Sequence, residues 1–92
     1  MEFIYRENEI VLESPEGGRL ACVTFPAVDA ETVEIDHTFV DDTLRGQGIA
    51  GKLMEAAAGM LEEKGLRAVL TCPYAVKWFD KHPEYAELVK KM

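Results

Sequence analysis

The segment Val40-Asp41-Asp42-Thr43-Leu44-Arg45-Gly46-Gln47-Gly48-Ile49-Ala50-Gly51-Lys52 holds three glycines within six residues, beside an arginine and a lysine. Glycine lets backbone approach a ligand with no Cβ in the way. A loop that opens into a helix aims unpaired N–H groups and the positive end of the helix dipole at one point. That chemistry suits a phosphate. Two familiar phosphate patterns fit as strings and fail on context. Gly46 to Gly51 reads as G-x-G-x-x-G, but the acidic ribose partner expected about 20 residues on is replaced by Leu70-Thr71-Cys72. Gly46 to Lys52 reads as G-x-x-x-x-G-K, but Leu53 stands where that loop needs a serine or threonine for magnesium.

Other residue types here can do chemistry. Cys72 closes the apolar run Arg67-Ala68-Val69-Leu70-Thr71-Cys72 just before Pro73. The carboxyl end of a strand is where open α/β sheets keep ligands. A thiol there is either a nucleophile, activated by a histidine or a helix N-terminus, or a small apolar filler. His37 lies in the alternating stripe Val33, Ile35, His37, Phe39. Imidazole titrates near neutrality, so it reads as a base or as a hydrogen-bonded core histidine. Cys22, in mid-strand, reads as filler. No metal site is expected, because His37 and His82 lack ligand spacing.

The elements that must position these groups follow from periodicity. Phe3-Ile4-Tyr5 and Ile10-Val11-Leu12 flank a polar stretch and read as a hairpin. Ser14-Pro15-Glu16-Gly17-Gly18 is a turn, Arg19 to Phe25 a third strand, and Pro26 to Ala30 a loop. Thr32 to Val40 alternates as one fourth strand. The period then changes: Ile49, Leu53, Ala57, Met60 and Leu61 mark one stripe of a helix from Gly46 to Lys64, stopped at Gly65. The strand 67–72 follows a helix-length crossover and is expected parallel to the fourth. Residues 74–81 and 84–91 read as two short helices broken at His82-Pro83. Pro83 opens the second, and Trp78 and Phe79 seal both to the sheet. The order β-β-β-β-α-β-α-α predicts an α+β (mixed α/β) domain over residues 1–92, an antiparallel meander plus one βαβ unit.

Composition narrows the partners. The 92 residues carry a net charge of −7 with 48% hydrophobic and 29% charged side chains, ordinary for a globular domain. An acidic chain argues against nucleic-acid binding, and no apolar stretch approaches the ~18 residues of a spanning helix. The two cysteines form no disulfide framework, and the start shows no signal core, so a cytoplasmic location with reduced thiols is expected. Residues 1–44 carry a net of −9 and residues 45–92 a net of +2. The second half suits an anionic ligand.

Arg45-Gly46-Gln47-Gly48-Ile49-Ala50 also fits Q/R-x-x-G-x-G/A, the acetyl-CoA pyrophosphate motif of the GNAT N-acetyltransferase superfamily. With His37-Thr38-Phe39-Val40, Cys72-Pro73-Tyr74 and His82-Pro83-Glu84-Tyr85 in register, the chain resembles the small stand-alone N-acetyltransferase-domain proteins over roughly residues 3–90. Asp41-Asp42 departs from the usual proline-containing approach to the loop. The resemblance implies a minimal GNAT fold that opens as a V between the fourth and fifth strands. Pantetheine would pair there with backbone of Phe39 and Val40. Pyrophosphate would rest on N–H groups of Gln47, Gly48, Ile49, Ala50 and Gly51 near Arg45 and Gly46. It implies acetyl-CoA as acyl donor without a metal, and an amine acceptor, a small molecule or a protein lysine, at a shallow open site. Cys72 would be an acetyl relay, His37 a base, and Tyr74 a proton donor to the departing sulfur, with Tyr85 within reach of the cleft. A monomer or weak homodimer is expected. The alternative is a non-catalytic acetyl-CoA-binding module.

Overall fold

The computed structural model describes residues 3–90. Strand β1 (Ile4–Arg6) and strand β2 (Glu9–Glu13) form the expected hairpin, whose tip is tied to the end of β3 (Arg19–Thr24). Asn8 does the tying: its C=O accepts from Phe25 N–H at 2.9 Å and its amide donates to Phe25 C=O at 3.2 Å. The turn between β2 and β3 closes on Ser14, with Gly17 at φ 87°. Here only glycine takes the left-handed backbone without strain.

The structure departs from the sequence expectation at two places, residues 26–30 and 32–40. The loop 26–30 contains a short strand, β4 (Ala27–Asp29), paired antiparallel with β5 (Thr32–Ile35). The expected single strand 32–40 is two strands, β5 and β6 (His37–Val40), in different sheets. The break is a bulge. Asp36 N–H donates to Thr24 C=O at 3.3 Å while His37 also pairs with Thr24, so two residues oppose one. Beyond it the side-chain alternation slips by one. Val33 and Ile35 are buried, whereas His37 and Phe39 are exposed, and Thr38 and Val40 turn inward instead.

Helix α1 (Ile49–Lys64) ends on Gly65 as expected, with the cap in the left-handed region. It starts three residues later than the periodicity placed it, because Gly46 and Gly48 both hold positive φ and belong to the loop. All five stripe residues are buried, and α1 lies against β2, β3 and β6. Strand β7 (Arg67–Leu70) runs parallel to β5 from Thr32↔Arg67 to Ile35↔Leu70, the crossover geometry expected. Helix α2 (Pro73–Asp80) follows at once, and residues Pro83–Leu88 form a 3-10 segment rather than a second α-helix. One sheet has the order β1-β2-β3-β6 and the other β4-β5-β7. The α+β class stands, and the strand count is finer than the sequence pattern resolves.

Candidate active site

The division into two sheets makes the site. Thr71 N–H and Cys72 N–H both donate to Ile35 C=O at 3.1 Å, the last backbone bonds between the parallel neighbours. Past Ile35 the chain bulges away to pair with β3, and β7 runs on into α2. A V therefore opens between β6 and the β7–α2 junction. Asp41 N–H bonds to Leu20 C=O at 2.7 Å, and the two-residue alternation of an antiparallel ladder then turns the backbone groups of Phe39 toward Cys22. The backbone groups of Thr38 and Val40 face the V. So Val40 stands where the sequence reading placed it, Thr38 joins it, and Phe39's polar groups are already committed to β3.

At the apex sits Cys72, 6% exposed, at the N-cap of α2 with Pro73 in the first turn. Its Sγ lies 3.5 Å from Thr38 Oγ1, across the V. Thr38 is the residue that the sequence reading missed. The inward turn of Thr38 depends on the bulge, and a single alternating run 32–40 assigns it to the outer face. His37 is corrected for the same reason. It does not share the core stripe of Val33 and Ile35, but lies exposed on the opposite face of β6 from Thr38. No Cys72–His37 pair forms on one face, and the helix N-terminus is the field the structure supplies at Cys72. Cys22 is buried, as its filler reading expects.

The glycine loop forms the wide end of the V. Asp41 caps the 3-10 turn Asp42–Leu44: its carboxylate accepts from Thr43 N–H at 3.0 Å and from the Thr43 hydroxyl. Those bonds, the hydroxyl's first, hold the Asp41 carboxyl below the usual aspartate range. The departure at Asp41-Asp42 thus has a structural use. Gln47 N–H is taken by Leu44 C=O at 3.4 Å, and helical bonding begins with Lys52 N–H to Gly48 C=O at 3.1 Å. The N–H groups of Ile49, Ala50 and Gly51 precede it and have no intrahelical partner. Arg45 Nε pairs with Asp42 at 2.9 Å on the surface. Val40, Leu44, Arg45, Gly46, Gly48, Ile49, Ala50, Gly51 and Tyr74 line one depression of about 180 Å³. A larger hollow of about 650 Å³, between Arg6-Glu7 and Gly59-Met60, has no cysteine or histidine in its lining.

Tyr74 comes from α2 into that depression. Its hydroxyl lies 3.6 Å from the position a Cβ on Gly51 would take. Partial burial pushes its phenol above the ordinary range, so it stays protonated through neutral pH. The hydroxyl touching Cys72 belongs to Thr38, whereas that of Tyr74 lies beside Gly51 at the loop end of the V. Trp78 and Phe79 are buried, as expected. Tyr85 stacks near Trp78, with centroids 5.8 Å apart. Among the described residues no cluster of three metal-ligating side chains occurs, and no helix is long and apolar enough to cross a membrane.

Coenzyme A fits what is present. The strand edge of Thr38 and Val40 offers unpaired backbone to an amide-bearing arm, and the free first-turn N–H groups of α1 suit phosphate. Comparison with known proteins agrees. The family described as GCN5-related N-acetyl-transferase matches residues 9–88. Protein NATD1 of Xenopus tropicalis is 40% identical over 63 residues, 68% of this chain and 58% of its own. The chain thus spans less than two thirds of the curated relatives it matches. The solution structure of a GCN5-like protein from Staphylococcus aureus superposes with a TM-score of 0.80 at 31% identity, covering 99% of this chain and 89% of that one. A GNAT family N-acetyltransferase from Escherichia coli, solved in complex with CoA, gives 0.54 at 28% identity, over 63% of this chain and 35% of that one. A bulged strand split between two sheets, a glycine loop on a helix N-terminus and a family match spanning residues 9–88 lead to one assignment: the chain belongs to the GCN5-related N-acetyltransferase family.

Proposed function

We propose that the chain is an acetyl-CoA-dependent N-acetyltransferase acting on an amine. The observation that carries this is the V itself, with unpaired backbone of Thr38 and Val40 on one wall and Cys72 on the other. Acetyl-CoA brings an activated thioester. The β6 edge aligns its arm, the Val40 N–H stands ready for developing negative charge on the carbonyl oxygen, and α1 with Arg45 holds the phosphates.

Cys72 then relays the acetyl group. Its sulfur bonds to the carbonyl carbon as the donor's carbon–sulfur bond breaks. The thiol proton passes through the Thr38 hydroxyl to the departing sulfur, so no net proton is gained or lost. The neutral amine attacks the carbonyl carbon of acetyl-Cys72 through the open V from the outer side; the carbon–sulfur bond breaks, His37 takes the amine's proton and passes it to water, and the released Cys72 thiolate regains a proton from water. That outer face carries Glu34, which accepts from the Thr71 hydroxyl at 2.7 Å, and Asp36, which accepts from that of Thr24. Together with the acidic first half, they favour a cationic acceptor such as a polyamine or a lysine side chain.

A second reading, a non-catalytic acetyl-CoA-binding module, draws support from the placement of His37 and Cys72 on opposite faces. A thiol-detecting dye separates the two. Free CoA must appear faster when amines are added to protein and acetyl-CoA, and an acetyl adduct on Cys72 must be seen by mass spectrometry. Binding without amine-stimulated release supports the module. Full turnover in Cys72→Ala removes the relay and leaves direct attack.

A further inference from the structure

The face of the β1-β2-β3-β6 sheet turned away from α1 carries an apolar row that the core does not use. The strand register lines up Ile4, Val11, Cys22 and Phe39 as neighbours across all four strands. Val11 and Cys22 are buried yet stand outside the core packed under α1. Two arginines shield them. Arg6 pairs with Glu9 at 3.1 Å and with Glu13 at 3.4 Å. Those glutamates stand two before and two after Val11 on the same face, so the guanidinium spans that side chain. Arg19, opposite Glu13, reaches back to Glu9 at 2.8 Å and crosses the row from the β3 side. Positions 1–44 hold no other arginine or lysine. Within a half of net −9 this face is a neutral strip, two arginines against two glutamates. Its ends stay uncovered, with Ile4 37% and Phe39 39% exposed.

The strip runs to the mouth of the V. Phe39 and His37 share the outer face of β6, and His37 pairs with Thr24, whose hydroxyl meets Asp36. Carboxylates at the mouth thus give way to an aromatic ring and then to an apolar row that ends on β1. Adjacent strands lie ~4.8 Å apart, so Ile4 is about 14 Å from Phe39. An extended polypeptide covers that span in about four residues. A polyamine is charged along its length and gains nothing from apolar surface. A second copy of the chain would set two molecules of net −7 against each other, whereas a lysine-bearing segment brings opposite charge to Glu34 and Asp36.

We propose that this face docks the acceptor as a polypeptide. Its lysine enters the V, and apolar side chains two to four residues from that lysine lie on Phe39 and Ile4. The arginine stems over Val11 and Cys22 form the floor between the two ends. This deepens the acetyltransferase reading above, on which it rests, by naming a protein or peptide lysine as the acceptor. A free polyamine would use the mouth of the V alone.

The test compares two blocked peptides with a single lysine. One has leucines three residues before and after it, and the other has serines there. With acetyl-CoA saturating, CoA release gives kcat/KM for each peptide and for spermidine. The wild-type protein is expected to favour the leucine peptide at least ~fivefold. Ile4→Thr keeps a β-branched residue on the edge strand and removes the apolar end of the strip. It should cut that preference at least ~twofold and leave spermidine turnover unchanged. Phe39→Thr should cut the preference likewise, and the two together should abolish it. Equal kcat/KM for the two peptides with the wild-type protein overturns the proposal, as does a preference that survives in the double variant. A concentration-dependent dimer that Ile4→Thr dissolves also overturns it, because the face then belongs to a second copy. Absence of amine-stimulated CoA release with both peptides and spermidine instead overturns the reading on which it rests.

Discussion

Thr38 and Cys72 show how a single contact divides two chemistries. If Cys72 carries the acetyl group, Thr38 shuttles its proton, and replacing the hydroxyl by a methyl removes one hydrogen bond worth about 1 kcal/mol. Thr38→Val should then lower kcat roughly fivefold with KM for acetyl-CoA within twofold, and Thr38→Ser should restore most of it. Single-turnover mass spectrometry checks this directly, since the acetyl-Cys72 adduct must form more slowly in the valine variant and at near-normal speed in the serine one. Equal adduct rates in all three proteins would sink the shuttle. Cys72→Ala, tested beside them, should lose the adduct entirely and at least ~tenfold of the turnover. His37 is separable from both. It lies on the acceptor side, so His37→Gln should slow the second step and leave adduct formation untouched.

At the scale of elements, the loop between β6 and α1 rests on two positive φ angles, 84° at Gly46 and 72° at Gly48. A Cβ on Gly48 would meet nothing within 4 Å, so the cost of Gly48→Ala is conformational alone, about 1–2 kcal/mol. The expected outcome is a melting midpoint lower by roughly 5–10 °C and weaker CoA binding, read by thermal unfolding and calorimetry. Gly51→Ala, inside α1 without a positive φ and with only ordinary contacts for a Cβ, should instead raise the midpoint slightly. The sequence pattern marked this loop because glycine spacing is a local property. It also marked α1, whose stripe is buried residue for residue, and the parallel pairing of β5 with β7. It did not mark the bulge. Asp36 occupies a regular polar position in the 32–40 alternation, and only the competing demands of two partners, β3 for His37 and β7 for Ile35, split the strand there. The misplacement of His37, Phe39 and Thr38 all follows from that one tertiary event. The short strand β4 was hidden for a related reason. Its residues are exposed and carry no buried alternation to read.

The whole molecule carries its charge unevenly, and two consequences follow. The first concerns acid. Glu9 is held below its ordinary 4.5 chiefly by the Arg19 guanidinium, with Arg6 next, and Asp41 below 3.8 by the Thr43 hydroxyl. Both folded carboxyls titrate lower than their unfolded counterparts, so their contribution is fully present above about pH 5 and is lost as pH falls through 4 and below. Thermal midpoints should be flat from pH 7 to 5 and fall steeply under pH 4, with Asp41→Asn flattening part of that fall. The second concerns the acceptor. The strands that carry the outer face come from the half with net −9, whereas α1 and the phosphate end of the V come from the half with net +2. An anionic donor and a cationic acceptor would therefore be drawn to opposite sides of one cleft, over distances that the ~8–10 Å Debye length of ordinary buffers cuts short. With acetyl-CoA held saturating, so that salt effects on the donor drop out, kcat/KM for a polyamine should fall several-fold between 20 and ~200 mM salt. An arylamine, uncharged at neutral pH, should show no such fall. Equal salt dependence for both amines would mean that Glu34, Asp36 and their neighbours are solvated surface rather than the means of choosing a substrate.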